Sequence, residues 1–282
     1  MTKIAWVTDS TSVLDEELRN HPDIYLIPLS VILDGEAYAD GEDLTAEELF
    51  AKLKTLKDSP KTSQPAVGAF KELYDQLSKE YDEIIAVLLS KKLSGTVDSS
   101  EQAANLVEIP VTTIDSKILT YPKTALMKQG IRLAEEGLSV HEIKMELEEI
   151  ANQNETYVLV GSLEQLHRSG RMSSAKFFLG SVLNIKPIIS IVDGALEVKE
   201  KARSDKKAKE KIIDYMRSAY EQNKFSEAWL LYGLNPDTAN QWKLELEEEF
   251  KNIRFSCYPL GAVIGVHAGE DTIGISWYNR EM

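Results

Sequence analysis

The sequence predicts an α/β protein, with a mostly parallel sheet covered by helices in its N-terminal part and a smaller α+β part at its C-terminal end. Three observations predict it. Aliphatic, strand-like runs alternate with helical stretches over roughly the first 160 residues, the order that builds parallel sheets. Four strand ends are rich in hydroxyls: Thr8-Asp9-Ser10-Thr11, Leu93-Ser94-Gly95-Thr96, Asp115-Ser116 and Gly161-Ser162. Near Ser162 the pattern turns to strand pairs mixed with helices, so domains are expected over residues 1–160 and 161–282.

Taken in order, Ile4 to Val7 is the first strand. IYLIPLSVIL reads as one or two more, and the Asp34-Gly35 that follows suits a hairpin turn. LTAEELFAKLK is an amphipathic helix starting near Leu44 or Thr45, with Leu49, Phe50 and Leu53 on one face. Lys61-Thr62-Ser63-Gln64-Pro65 is a hydroxyl-rich turn feeding a helix, with Pro65 expected as the first helical residue. Ile84 to Leu89 reads as a buried strand that passes through Leu93-Ser94-Gly95-Thr96 into a helix carrying Val97, Ala104 and Val107. Strand IPVTTIDS, helices KTALMKQGIRLAEEG and VHEIKMELEEIANQ, and strand TYVLVGS complete the first part.

In the second part, SLEQLHRSGRMSSAKFFLGSVL holds a helix, a Ser-Gly interruption with Arg168 and Arg171, and an apolar helix around Phe177, Phe178 and Leu179. NIKPIISIVDGALEVKEKARS reads as two strands meeting at Asp193-Gly194. Helix DKKAKEKIIDYMRSAYEQN, strand AWLLYGL, a helix after Pro236, and a Gly-punctuated run ending in strand Ile273 to Tyr278 follow.

Composition excludes several functions. A net charge of −14 over 282 residues argues against nucleic-acid binding and against adsorption to an anionic membrane. One cysteine, Cys257, permits neither an internal disulfide nor a multi-Cys metal site. His21, His141, His167 and His267 show no metal-ligand spacing, so no metal is expected. Neither G-x-x-x-x-G-K-[ST] nor a strand-linked G-x-G-x-x-G occurs, so no nucleotide is expected. The chain opens without a secretory leader and has no apolar run near 18 residues, so a cytoplasmic protein without stable membrane insertion is expected.

The Ser94-Gly95-Thr96 turn offers unpaired N–H groups and two hydroxyls at a helix start, where the helix dipole is positive. Such a turn suits a carboxylate or phosphate; it is equally an ordinary helix cap. A second alternative is serine hydrolysis, with Ser94 as nucleophile, His267 as base and Asp9 or Asp115 as orienter. The G-x-S-x-G nucleophile elbow is absent around Ser94. Arg171 reads either as a ligand clamp or as a surface charge. The basic run Lys199 to Lys211 reads as a solvated face or as a docking patch for an acidic partner.

Together the motifs VTDST, KTSQP, LSGT, TIDS, LEQLHRSGR, LNIKPIISIVDG and GAVIGVHAG, in this order over nearly the whole chain, resemble the DegV family. Its members are fatty-acid-binding subunits of bacterial fatty acid kinase. The resemblance implies a Rossmann-like N-terminal domain, a smaller C-terminal domain, and one long-chain fatty acid between them. It implies a carrier rather than an enzyme, needing no cofactor, which presents the acyl carboxylate to a separate fatty acid kinase catalytic subunit. That partner forms acyl phosphate for phospholipid synthesis. By position, Thr62 and Ser94 are implied carboxylate ligands, with Ser63, Gly95 and Thr96 in the same turns and His267 and Arg171 near the head group. Arg203, with Lys201 beside it, matches the kinase-docking surface. Phe177 to Leu183 and Ile188 to Val192 are candidate tunnel walls. The chain departs from the family pattern at Ala66, at Lys91 and Lys92, and at Ala268-Gly269-Glu270-Asp271 after His267.

Overall fold

The computed structural model describes residues 2–56, 58–172, 174 and 185–282. The chain forms two compact units: Met1–Thr45 with Leu56–Asn152, and Ala46–Thr55 with Gln153–Met282. In chain order the first unit holds β1 (Ile4–Asp9), the short α1 (Glu16–Arg19), β2 (Ile24–Ile27), β3 (Ser30–Leu33) and β4 (Glu36–Ala39). Helix α2 (Ala46–Leu53) belongs to the second unit. The chain returns to the first unit with β5 (Lys61–Ser63), α3 (Val67–Leu77), β6 (Glu83–Leu88), α4 (Thr96–Ala104), β7 (Val111–Asp115), α5 (Thr120–Glu135) and α6 (Val140–Ala151).

The sheet of this unit has the order β2-β1-β6-β7, and all of its pairs are parallel. Strands β1 and β6 are buried along almost their whole length. That is why they read as continuous apolar runs rather than alternating ones. Ala5, Val7, Ile84, Ala86 and Leu88 pack with Phe70, Tyr74, Val97 and Ala103. Elsewhere in the unit α5 comes so close to β1 that a Cβ on Gly130 would lie 2.8 Å from the Trp6 ring. A small antiparallel sheet, β4-β3-β5, stands apart from the parallel one. Its hairpin turns at Asp34 (φ 47°) and Gly35 (φ 90°), the two positive φ angles that suit the twist of a two-residue hairpin.

The second unit adds to α2 the elements β8 (Asn154–Leu159), α7 (Leu163–Arg168), β9 (Lys186–Val192), β10 (Ala195–Ala202) and α8 (Asp205–Asn223). It ends with β11 (Glu227–Tyr232), α9 (Asp237–Glu249), β12 (Arg254–Pro259), α10 (Gly261–Ala268) and β13 (Ile273–Tyr278). Its mixed sheet runs β10-β9-β8-β13-β11-β12, with only β11 and β12 parallel. Trp277, Phe225, Ile212, Met216, Trp242 and Phe255 anchor its core. The hairpin expected at Asp193-Gly194 joins β9 to β10, again with two positive φ angles.

Four expectations need correction. The division falls at Asn152 rather than 160, because β8 pairs with β13 and β9 and so belongs to the second sheet. The second unit is nearly equal in size to the first, since it also takes in the excursion of α2. Pro65 is not the first helical residue: α3 starts at Val67, with Ala66 as its cap position. In α4 it is Ala103, not Ala104, that is buried, and Val107 lies beyond the helix end. The candidate wall Phe177 to Leu183 lies outside the described residues.

Candidate functional site

In the first unit, the two hydroxyl-rich turns precede the starts of two neighbouring helices. The VTDST segment fixes the strand ends behind them. Asp9 is fully buried and accepts hydrogen bonds from Leu89 N (2.7 Å), Thr11 N (3.0 Å), Thr11 Oγ1 (2.5 Å) and Lys123 Nζ (2.5 Å). It thereby ties the ends of β1 and β6 to α5. Lys123 is also fully buried and reaches Thr11 Oγ1 as well (2.9 Å). Burial pushes its ammonium below the ordinary lysine value, while Asp9 and the more distant Asp40 oppose that shift. Beyond Leu89, Ser90 N donates to Ile118 O, and Ser90 O receives Leu93 N and Ser94 N. The turn is thus fixed before α4 begins.

Ser94 Oγ and Thr96 Oγ1 are 2.9 Å apart and share a hydrogen bond. Thr96 is fully buried; Ser94 and Gly95 are partly exposed. Gly95 is the cap position of α4, and no side chain caps that helix. Helix α3 packs beside α4 and likewise has no side-chain cap at Ala66. Thr62 and Ser63, both partly buried, lie on β5, where Thr62 pairs with Val31 of β3. The two turns meet at one point. A Cβ added to Gly95 would lie 2.9 Å from the Gln64 side-chain nitrogen, so the Gln64 carboxamide covers Gly95. The first unit therefore gathers Thr62, Ser63, Gln64, Ser94, Gly95 and Thr96 at two uncapped helix starts. Helix starts without side-chain caps, with hydroxyls beside them, have the donors and the positive helix pole that suit an anion.

In the second unit, His267 lies near the end of α10 and Arg171 follows α7. The Arg171 guanidinium is partly buried and donates through Nη1 to Ser169 O (2.7 Å); burial lowers its pKa from the ordinary value. His267 is pushed down to about 4, first by burial and then by the Arg171 charge. It is a neutral imidazole at physiological pH. The segment after it is clamped by glycines: a Cβ on Gly233 would run into the Glu270 carbonyl, and one on Gly161 would lie 2.7 Å from Asp271 N. Gly269 (φ 88°) abuts the backbone of Ser162, while Thr272 Oγ1 donates within reach of Ala268 O and Gly269 O (2.8 Å each). These contacts give Ala268-Gly269-Glu270-Asp271 a role: it is a tight turn that fixes the C-terminal end of α10. On the other end of that helix's packing, Gly265 lets the Phe50 ring of α2 come within 2.8 Å of where a Cβ would stand.

Both aspartates named in the hydrolase alternative already accept backbone hydrogen bonds. Asp9 is saturated as described, and Asp115 Oδ1 accepts from Lys91 N (3.2 Å) and Lys117 N (3.0 Å). Of the candidate wall Ile188 to Val192, Ile188 joins the main core of its unit and Val192 is exposed. Ile189 packs instead with Leu166 and Met172, beside Arg171 in sequence, against the partly buried Val158, Val160, Leu196 and Val198. Arg203 and Lys201 are both exposed at the β10–α8 junction, while neighbouring Lys207, Lys209 and Lys211 pair with Glu210, Glu245 and Glu200. Among the described residues, no group of acidic, His or Cys side chains could hold a metal ion, and no helix is long and apolar enough to cross a membrane.

Sequence reasoning missed Lys123, because a lysine in a helix ordinarily reads as solvated. The signal was present: it lies inside Tyr121-Pro122-Lys123-Thr124-Ala125-Leu126-Met127, a stretch with no other charge.

Comparison with known proteins places the chain among relatives of matching length. A family model described as "Uncharacterised protein, DegV family" matches residues 3–280. A DegV domain-containing protein of Halalkalibacterium halodurans is 35% identical over 99% of both chains. A solved structure described as "Fatty Acid Binding of a DegV family Protein from Thermus thermophilus" is 34% identical, covers 98% of this chain and 99% of its own, and superposes with a TM-score of 0.90. Another, of "DegV, a fatty acid binding protein from Bacillus subtilis", is 32% identical over 99% of both chains with a TM-score of 0.88.

Proposed function

The chain belongs to the DegV family, and from that premise we propose that it binds a long-chain fatty acid and performs no chemistry on it alone. The observation that carries the reading is the meeting of the two uncapped turns, where Gln64 covers Gly95 beside Ser94. A carboxylate taken out of water must be paired or hydrogen-bonded. Thr62, Ser63, Ser94 and the Gly95-Thr96 backbone supply neutral donors, each contributing ~1.5–3 kcal/mol to a charged acceptor. In the second unit, the neutral His267 and the charged Arg171 are the residues that the family resemblance assigns to the head group. The acyl chain takes the apolar surface around Ile189, Leu166 and Met172. A sixteen-carbon tail contributes on the order of 10 kcal/mol at about 0.8 kcal/mol per methylene, from which the costs of association subtract. The tail supplies affinity; the turns decide which end faces out.

The finer reading is that the bound carboxylate is presented to a fatty acid kinase catalytic subunit, which phosphorylates it from ATP. The exposed Arg203 and Lys201 are the docking charges. The test of binding is mass spectrometry of protein purified from a bacterial host and then denatured. A released fatty acid is expected; a nucleotide alone, or nothing even after lipid loading, overturns the proposal. For the partner, Arg203→Ala is expected to impair kinase-dependent acyl phosphate formation and leave fatty-acid binding intact. Loss of lipid binding in that variant refutes the docking assignment.

A further inference from the structure

Gly95 does not need to be glycine for its backbone. Its φ is −77°, an angle open to any residue. What a side chain here would displace is the Gln64 carboxamide, whose nitrogen, carbon and oxygen stand 2.9, 3.2 and 3.7 Å from the position a Cβ would take. The amide group thus stands against Gly95, the cap position of α4. The segment that presents it is constrained, since Pro65 is buried and restricts the preceding residue to extended backbone. Gln64 is itself exposed, and its carboxamide makes no hydrogen bond to another described residue. At the cap position of a helix that no side chain caps, the carboxamide is placed to hydrogen-bond a group bound at that helix start.

We infer that Gln64 is a specificity-determining residue: its carboxamide closes over the ligand head group, donates to one carboxylate oxygen, and selects the free acid over a neutral-headed lipid. This rests on the fatty-acid reading and adds to it a residue and a discrimination. An uncharged donor suits the position. It strengthens the hold on an anion without bringing a second charge that would itself need desolvation. The positive pole of α4 supplies the electrostatic part. Glycine at position 95 leaves room for Gln64 to approach, so the two residues act as one device.

The experiment uses the full-length, delipidated protein, with oleate and oleyl alcohol titrated by calorimetry into wild type, Gln64→Ala and Gln64→Glu. Because the side chain is exposed, both variants are expected to fold. Gln64→Ala is expected to weaken oleate binding about 10-fold, the loss of one hydrogen bond to a charged acceptor. Gln64→Glu places like charges together and is expected to weaken it further, with oleyl alcohol binding unchanged in both. Oleate affinities equal to wild type in both variants overturn the inference and leave the fatty-acid reading standing. Equal losses for oleate and oleyl alcohol also overturn it, since they mark a structural role. A wild type that takes up neither lipid removes the fatty-acid reading, and this inference with it.

Discussion

Asp9 and Lys123, 114 positions apart in sequence, meet at 2.5 Å with neither side chain exposed to solvent. The pair joins the first strand of the parallel sheet to α5, and Asp9 also holds Leu89 N at the end of β6. Removing one member leaves the other buried and charged, which costs about 3–5 kcal/mol. Lys123→Met is therefore expected to lower the urea midpoint sharply. Adding Asp9→Asn to it is expected to cost far less than the sum of the two single losses. Additive losses would show that the pair is not coupled.

Glycines 95 and 233 predict opposite outcomes for the same substitution. Gly95→Ala meets the far end of a flexible glutamine, so stability is expected to change by less than about 1 kcal/mol while fatty-acid affinity falls. Gly233→Ala meets the Glu270 backbone carbonyl, which cannot step aside without moving the turn after α10. It is expected to cost about 2 kcal/mol or more in thermal or chemical melts. Equal stability of both variants would refute the distinction.

His267 sets a pH dependence with a definite sign. Its folded-state pKa, about 4, lies below the unfolded value near 6.5. Between these two values the unfolded chain binds the proton and the folded chain does not, so stability falls as pH drops through the window and is fully present above it. The contribution is at most roughly 3 kcal/mol at 1.36 kcal/mol per pH unit. Urea melts from pH 4.5 to 7 should show wild type losing this stability relative to His267→Gln. Parallel profiles would place His267 in contact with water.

Ser94 is expected to behave as a hydrogen-bond donor and not as a nucleophile. Ser94→Ala and Thr62→Ala should each reduce fatty-acid retention, by about 10-fold for one hydrogen bond to a charged acceptor. Ester turnover by the wild type that disappears in Ser94→Ala would reverse this assignment.

The parts of the fold that were legible in the sequence are those set by local physics. Asp34-Gly35 and Asp193-Gly194 announced their hairpins because each turn needs two positive φ angles. Apolar runs bounded by polar ends announced β1, β6 and β7. What sequence alone did not disclose depends on distant partners. Strand β5 is three residues long, too short for any alternation to register, and exists only because β3 pairs with it. The assignment of β8 to the second unit rests on β13, at the other end of that unit. Within the candidate site the hydroxyl-rich turns were legible; the contact of Gln64 with Gly95 was not, because nothing local links the two positions.

The placement of α2 has a consequence for how the chain is made. Leu49 and Phe50 are buried, and the Phe50 ring fits against Gly265 of α10. During synthesis, α2 leaves the ribosome roughly 200 residues before that helix does. At about 5–20 residues per second the delay amounts to some 10–40 s. For that interval the apolar face of α2 has no final partner, so a newly made chain carries an exposed sticky surface until its last elements emerge. Nascent chains halted before α10 are thus the form of this protein most dependent on chaperones.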